Sequence, residues 1–178
     1  MPMTVVTGAP GAGKTAILKA LEPSIPHVPE PARIVLAEER ASGGNGTPDQ
    51  DPELFVKRLL ERSIESHRDA LRAGVPVLFD RGVPDCAAYA RLLGVDPAKS
   101  IEAASTYRYR RVVLVAKPWR GIYVMDDERK MSFEATLRFQ ELIEQAYEDA
   151  GYELVEIPRG DLANRVDFVT SFVGSARL

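Results

Sequence analysis

Short apolar runs alternate with longer amphipathic stretches along the whole chain. Met3 to Thr7, "MTVVT", is β-branched and apolar and ends at a glycine loop, after which "KTAILKAL" from Lys14 has helical spacing. "SIPHVPE" carries two prolines and predicts an irregular or edge strand. Pro31 suits the first turn of a helix over "PARIVLAEERA", because its missing amide proton is not needed there. Asp51 and Pro52 form a cap and first turn, and Phe55, Leu59, Leu60, Ile64, His67 and Leu71 are expected to line one face of a long helix ending at Gly74. "VPVLFD" and "RVVLVA" are continuous apolar runs, as strands covered on both faces require. Between them stand the helical stretches "VPDCAAYARLLG" and Asp96 to about Tyr107. Ser132 predicts a cap for "FEATLRFQELIEQAYEDA", Tyr152 to Ile157 a last strand, and Asp161 the cap of a C-terminal helix. Strands alternating with helices predict an α/β fold, a parallel sheet between two helical layers.

The chain has 178 residues, enough for one domain with a substantial core, and no linker divides it. One domain over 1–178 is expected, with a flexible loop at about 41–51, where "ASGGNGTPDQD" is the only low-complexity stretch. The single Cys86 excludes an internal disulfide framework. No apolar run approaches the ~20 residues of a membrane span, so a soluble, cytoplasmic protein without a membrane partner is expected. A net charge of −3 gives no broad basic face for duplex nucleic acid, and no nucleic-acid partner is expected. His27 and His67 are isolated and, with one cysteine, make no zinc site.

The glycine loop changes this picture. Gly8, Ala9, Pro10, Gly11, Ala12, Gly13, Lys14 and Thr15 read GAPGAGKT, the full Walker A spacing, between a predicted strand and a predicted helix. Small residues let successive backbone N–H groups close around phosphate oxygens, and the helix adds its positive end. In such a loop Lys14 reaches the β- and γ-phosphates and Thr15 holds Mg²⁺ through its hydroxyl, which points to ATP and Mg²⁺ as cofactors. A second carboxylate is needed near the metal at the end of a neighbouring strand, and Asp80 in "VLFDRG" fits. Asp80 has two roles open to it: receiving the proton of an acceptor hydroxyl, or holding magnesium-bound water. Arg81 stands where motor ATPases of the AAA type carry a water-polarising Glu, and suits an anionic or hydroxylated acceptor.

In this order, GAPGAGKT, VPEPAR, FDRG and WRGIYVMDDER resemble the P-loop kinase superfamily over most of the chain. They resemble in particular a group of ATP-binding proteins labelled AAA that is similar to ribosylnicotinamide-kinase-like domains. The resemblance implies a three-layer P-loop NTPase fold, a five-stranded parallel sheet of order 2-3-1-4-5, a lid, and phosphoryl transfer from ATP. In similar kinases a Glu after the second strand contacts the acceptor and a nearby Arg helps bind it, which implies Glu30 and Arg33, with Arg81, on the acceptor side. On the residues alone, Glu30 and Arg33 read equally as a helix-end acid and its i+3 partner.

The polar segment 117–131 stands where such kinases carry a lid. Arg120 and Arg129 are the expected phosphate clamps, and Trp119 and Tyr123 serve either lid packing or base stacking. Asp126 and Asp127 either orient those arginines or assist the metal. Two functions follow: a kinase for a small hydroxylated or nucleoside-like acceptor, with Lys14, Asp80, Arg120 and Arg129 as catalytic groups, or a nucleotide-dependent ATPase switch. No N-K-x-D guanine-reading tetrapeptide is present, which weakens a GTPase reading.

Overall fold

The computed structural model describes residues 3–22, 24–121 and 131–174. Five strands, β1 (Met3–Thr7), β2 (His27–Val28), β3 (Val77–Asp80), β4 (Val112–Val115) and β5 (Glu153–Glu156), form one parallel sheet in the order β2-β3-β1-β4-β5. β1 lies at the centre, with Val6 opposite Asp80 of β3 on one side and Leu114 of β4 on the other. The loop after β1 and the carboxylate ending β3 therefore emerge side by side at the C-terminal edge of the sheet, where ligands gather in open α/β folds.

Alternate residues of each strand feed two separate cores. Met3, Val5, Val77, Phe79 and Val113 pack on one face against α4 (Val83–Leu93), α5 (Ala98–Thr106) and α6 (Phe133–Asp149). Val6, Leu78, Leu114 and Ala116 pack on the other face with Ile17 and Leu18 of α1 (Lys14–Leu21) and Val169 and Val173 of α7 (Leu162–Gly174). Because both faces are covered, these strands have no polar face, which is why they read as continuous apolar runs. A third cluster joins α2 (Pro31–Ser42), α3 (Pro52–Ala73) and α4 through Ala32, Val35, Phe55, Leu59, Cys86 and Ala90.

The caps form as their residues require. Asp51 accepts from the Leu54 N–H at 2.9 Å, Ser132 Oγ from the Ala135 N–H at 3.1 Å and Asp161 from the Asn164 N–H at 2.8 Å. On α3 the buried track is Phe55, Leu59, Ser63, His67 and Ala70, whereas Leu71, placed on that face by the sequence pattern, is 53% exposed. The row advances by four residues and then three, so position 71 has turned toward solvent and the smaller Ala70 fills the core.

α2 extends to Ser42, one residue beyond the helix expected from the sequence. The segment after it folds over the buried carboxylate of Glu39, which accepts the Gly46 N–H at 2.7 Å and pairs with Arg58. Among the described residues no helix is long and apolar enough to cross a membrane.

Candidate active site

The loop between β1 and α1 is shaped by two glycines. Gly8 has φ +135°, and a Cβ there would meet the Ala116 carbonyl oxygen at 1.9 Å, so only glycine fits. Gly13, with φ +80°, supplies the left-handed turn into α1. Lys14 opens that helix, and its buried ammonium donates to the carbonyls of Gly8 at 2.6 Å and Ala9 at 3.2 Å. Thr15 follows, half-buried. Burial and then the Arg81 charge pull the Lys14 ammonium down to about 8, against the opposing pull of Asp80, Glu30 and Asp85.

Two side chains from distant elements clamp the loop from behind. Gln140 of α6 accepts the Ala9 N–H at 2.8 Å and donates to Glu144, which also pairs with Lys117 at 3.1 Å. Arg165 of α7 donates to the Ala12 carbonyl at 2.9 Å, and its guanidinium lies 4.9 Å from the Trp119 ring centroid. Trp119 thus packs at the foot of the expected lid against the arginine that holds the loop.

On the β3 side stands a buried cluster of charges. Asp80 is 5% exposed, and its Oδ1 has no hydrogen-bond partner among the described residues. Burial pushes its carboxyl above the ordinary range, against the pull of Lys14 and Arg81. Arg81 is the only described non-glycine residue with positive φ, at 73°. Its N–H donates to the Val6 carbonyl at 3.1 Å, so the chain turns toward β1 as it leaves β3. Such a backbone costs ~1–3 kcal/mol and persists because the side chain is held on several sides. Nε donates to Glu30 Oε1 at 2.7 Å and Nη1 to Asp85 Oδ1 at 3.0 Å, while the rings of Tyr89 and Phe139 lie 5.6 and 5.5 Å from the guanidinium carbon. Nη2 is buried and has no partner among the described residues.

Glu30 follows β2 and stands at the N-cap position of α2. It accepts from Arg81, from Arg33 Nε at 3.1 Å and from the Tyr89 hydroxyl at 3.3 Å. Burial works against its charge, but Arg81 first and then Lys14 hold its carboxyl down at about 2. The i+3 pair read from the sequence forms, and a second arginine from β3 joins it. The Arg33 side chain is 54% exposed and lies on the outer rim.

Glu30, Arg33, Asp80, Arg81 and Lys14 are therefore gathered along one edge of the sheet. Arg120 faces elsewhere: it is exposed, 3.3 Å from Glu134, with Phe133 beneath its guanidinium. Arg129, Tyr123, Asp126 and Asp127 lie outside the described residues.

Sequence reasoning missed Asp85, Gln140, Tyr147 and Arg165. Asp85 carried a signal, its i+4 spacing from Arg81, that the sequence analysis did not single out. The other three reach the site from α6 and α7 and have no local signature.

The model of the family described as an AAA domain matches residues 3–165. The chain belongs to that family. No curated protein matches the sequence itself. Among solved structures it is similar to NadR protein in complex with NR, at 18% identity and a TM-score of 0.69, over 97% of this chain and 51% of that one. The chain thus spans about half the length of that relative. It is also similar to thymidylate kinase from Candida albicans, at 14% identity and a TM-score of 0.62, over 98% of this chain and 92% of that one. Deoxyadenosine kinase from M. mycoides, with products dCMP and dCDP bound, gives 14% identity and a TM-score of 0.58, over 98% and 99% of the two chains. The fold is that of the P-loop kinases, with the sheet order 2-3-1-4-5 that the sequence resemblance implies.

Proposed function

We propose that this family member is an ATP- and Mg²⁺-dependent phosphotransferase that moves the γ-phosphoryl group to a hydroxyl of a small, nucleoside-like acceptor. The observation that carries this reading is the pairing of two devices at one sheet edge. A glycine-shaped loop with a buried lysine lies beside a buried carboxylate, Asp80, one of whose oxygens has no partner. A phosphate cradle alone serves many nucleotide-binding proteins; the adjoining Glu30–Arg81–Tyr89 cluster gives a second molecule a polar seat.

The donor sites suit the cofactors. Thr15 and Asp80 offer the hard oxygen ligands that Mg²⁺ prefers. When bound, Mg²⁺ would neutralise the phosphate charge that develops during transfer. The loop amides and Lys14 hold the phosphates of ATP, and Lys14 exchanges its bonds to the Gly8 and Ala9 carbonyls for phosphate oxygens. Arg129 would complete the clamp on the transferring group when the acceptor is present, and Arg120 would join it only by leaving Glu134 and Phe133.

The two carboxylates divide the work. Glu30 is held at about 2 by its cationic neighbours and already accepts three hydrogen bonds, which suits it to orienting Arg33 and Arg81 toward the acceptor rather than to taking a proton. Asp80 has a raised pKa and an Oδ1 without a partner among the described residues, and it would receive the proton of the acceptor's hydroxyl. Water must be kept from the γ-phosphate, and that role is assigned to the segment 117–131 on its sequence resemblance alone.

The test is an ATP-consumption screen across nucleosides, nucleotides, vitamins and antibiotics, with Lys14→Ala as the blank. Acceptor-stimulated ADP release is the expected result. Hydrolysis indifferent to every acceptor would replace this reading with an ATPase switch.

A further inference from the structure

The two oxygens of Asp85 do different things. Oδ2 closes its own helix, accepting the Gly82 N–H at 2.8 Å and the Tyr147 hydroxyl at 2.6 Å. That is the ordinary duty of an acid in the first turn of a helix, and it needs one oxygen. Oδ1 reaches out of the helix. It accepts the Thr7 hydroxyl at 2.7 Å, at the last residue of β1 before the phosphate loop, and Arg81 Nη1 at 3.0 Å. Each oxygen already accepts two hydrogen bonds from the protein, so neither is left over for a ligand.

We propose that Asp85 is a positioning residue: it fixes the direction of the Arg81 guanidinium toward the acceptor and ties that direction to the end of β1, where the phosphate loop begins. This rests on the reading of Arg81 as an acceptor-binding group. A guanidinium is planar, so fixing two of its nitrogens fixes the third. Glu30 holds Nε and Asp85 holds Nη1, which leaves Nη2 as the one buried donor without a partner among the described residues. The other buried orphan in this cluster, Asp80 Oδ1, belongs to the preceding residue. A buried donor and a buried acceptor, neighbours in sequence and both without a partner among the described residues, would suit a hydroxyl-bearing ligand, which could donate to Asp80 and accept from Arg81. Without Asp85, Nη1 loses its partner in a buried site and the guanidinium can rotate about its remaining bond to Glu30.

Asparagine cannot replace this carboxylate. In either orientation an amide sets its NH₂ against one obligate donor, Arg81 Nη1 or the Gly82 N–H, and makes the Thr7 or Tyr147 hydroxyl beside it turn to accept. In Asp85→Asn the acceptor KM should rise about tenfold or more, the weight of one buried charge-assisted hydrogen bond, while the KM for Mg·ATP stays within about twofold. Thr7→Val removes only the tether to β1 and should give a smaller rise in acceptor KM; it carries the test if the Asn variant does not fold. Tyr147→Phe removes one donor from Oδ2, so it should lower Tm and leave the acceptor KM unchanged.

Side-chain NMR of ¹⁵N-arginine-labelled protein reads the positioning without turnover. In the wild type the two Arg81 Nη resonances should be resolved because rotation is held, and in Asp85→Asn they should merge. The kinetic arm uses the nucleoside that the wild type phosphorylates best in the acceptor screen. If none is phosphorylated, the proposed function falls while the NMR arm still decides the positioning. Resolved Nη resonances and an unchanged acceptor KM in a destabilised Asp85→Asn protein would overturn the inference and reduce Asp85 to a helix cap.

Discussion

Arg81 and Glu30, 51 positions apart, are joined by a 2.7 Å bond from Nε to Oε1, with both side chains at or below 10% exposure. The bond links the end of β3 to the entry of α2 and is the hub of the candidate acceptor site. Removing one partner of a buried pair strands the other charge, which typically costs ~3–5 kcal/mol. Glu30→Gln and Arg81→Ala should each lose stability on that scale in urea unfolding. Arg81→Lys should not restore it, because an ammonium cannot serve Glu30 and Asp85 through a planar fork. A loss below ~1 kcal/mol in the first two variants would remove the pair from its structural role.

Glu30 also makes the protein sensitive to acid. Its carboxyl is held at about 2, below its ordinary value, so the folded state favours the ionised form. The stabilisation is present above the unfolded pKa near 4.5 and is lost as pH falls toward 2. Midpoints of urea unfolding collected from pH 5 downward should decline more steeply in the wild type than in Glu30→Gln.

Lys14 behaves in the opposite sense. Its pKa of about 8 lies below the ordinary 10.5, so between those values the folded protein binds fewer protons than the unfolded chain and gains stability as pH rises. Phosphate oxygens favour the charged ammonium, so binding Mg·ATP above about pH 8 should take up a proton. Calorimetric titrations in buffers of different ionisation enthalpy measure that uptake, and it should vanish in Lys14→Met. Equal proton uptake in both proteins would place Lys14 away from the phosphates.

Much of the fold was legible because its signals are local. The glycine loop declares itself within eight residues, and the caps at Asp51, Ser132 and Asp161 each need only the next three. The apolar strands follow from being covered on both faces. Leu71 was misplaced because periodicity fixes a helix face to within one residue, and here Ala70 and Leu71 straddled the boundary. At the site, Lys14, Glu30, Asp80 and Arg81 were legible by residue type and position. Their shared enclosure was not: Gln140 meets Ala9 across 131 positions and Arg165 meets Ala12 across 153, and such contacts exist only once the chain has folded.

Asp80 should separate chemistry from binding. Burial raises its pKa, so its charge opposes folding at neutral pH, and Asp80→Asn should melt at or above the wild-type temperature without ligand. Turnover should nonetheless fall by ~10²-fold or more, the usual weight of a positioned proton acceptor, with ATP affinity nearly unchanged. Wild-type turnover in that variant would reduce Asp80 to a turn residue.

The phosphate cradle depends on Gly8. With a Cβ at 1.9 Å from the Ala116 carbonyl, Gly8→Ala must displace the loop or the strand end beside it. The rise in Tm that Mg·ATP produces in the wild type should disappear, since ligand stabilises only a state that can bind it. A rise of the same size in Gly8→Ala would show that the nucleotide is held elsewhere.

The central claim is that the γ-phosphoryl group goes to an acceptor rather than to water, and its destination can be followed directly. ATP labelled in the γ-phosphoryl group is incubated with the wild-type protein, Mg²⁺ and the acceptor that most stimulates ADP release, and the products are separated by mass. The account predicts label covalently attached to the acceptor in step with ADP formation, and none in the Lys14→Ala blank. Label found only in inorganic phosphate, at a rate independent of any acceptor, would contradict it.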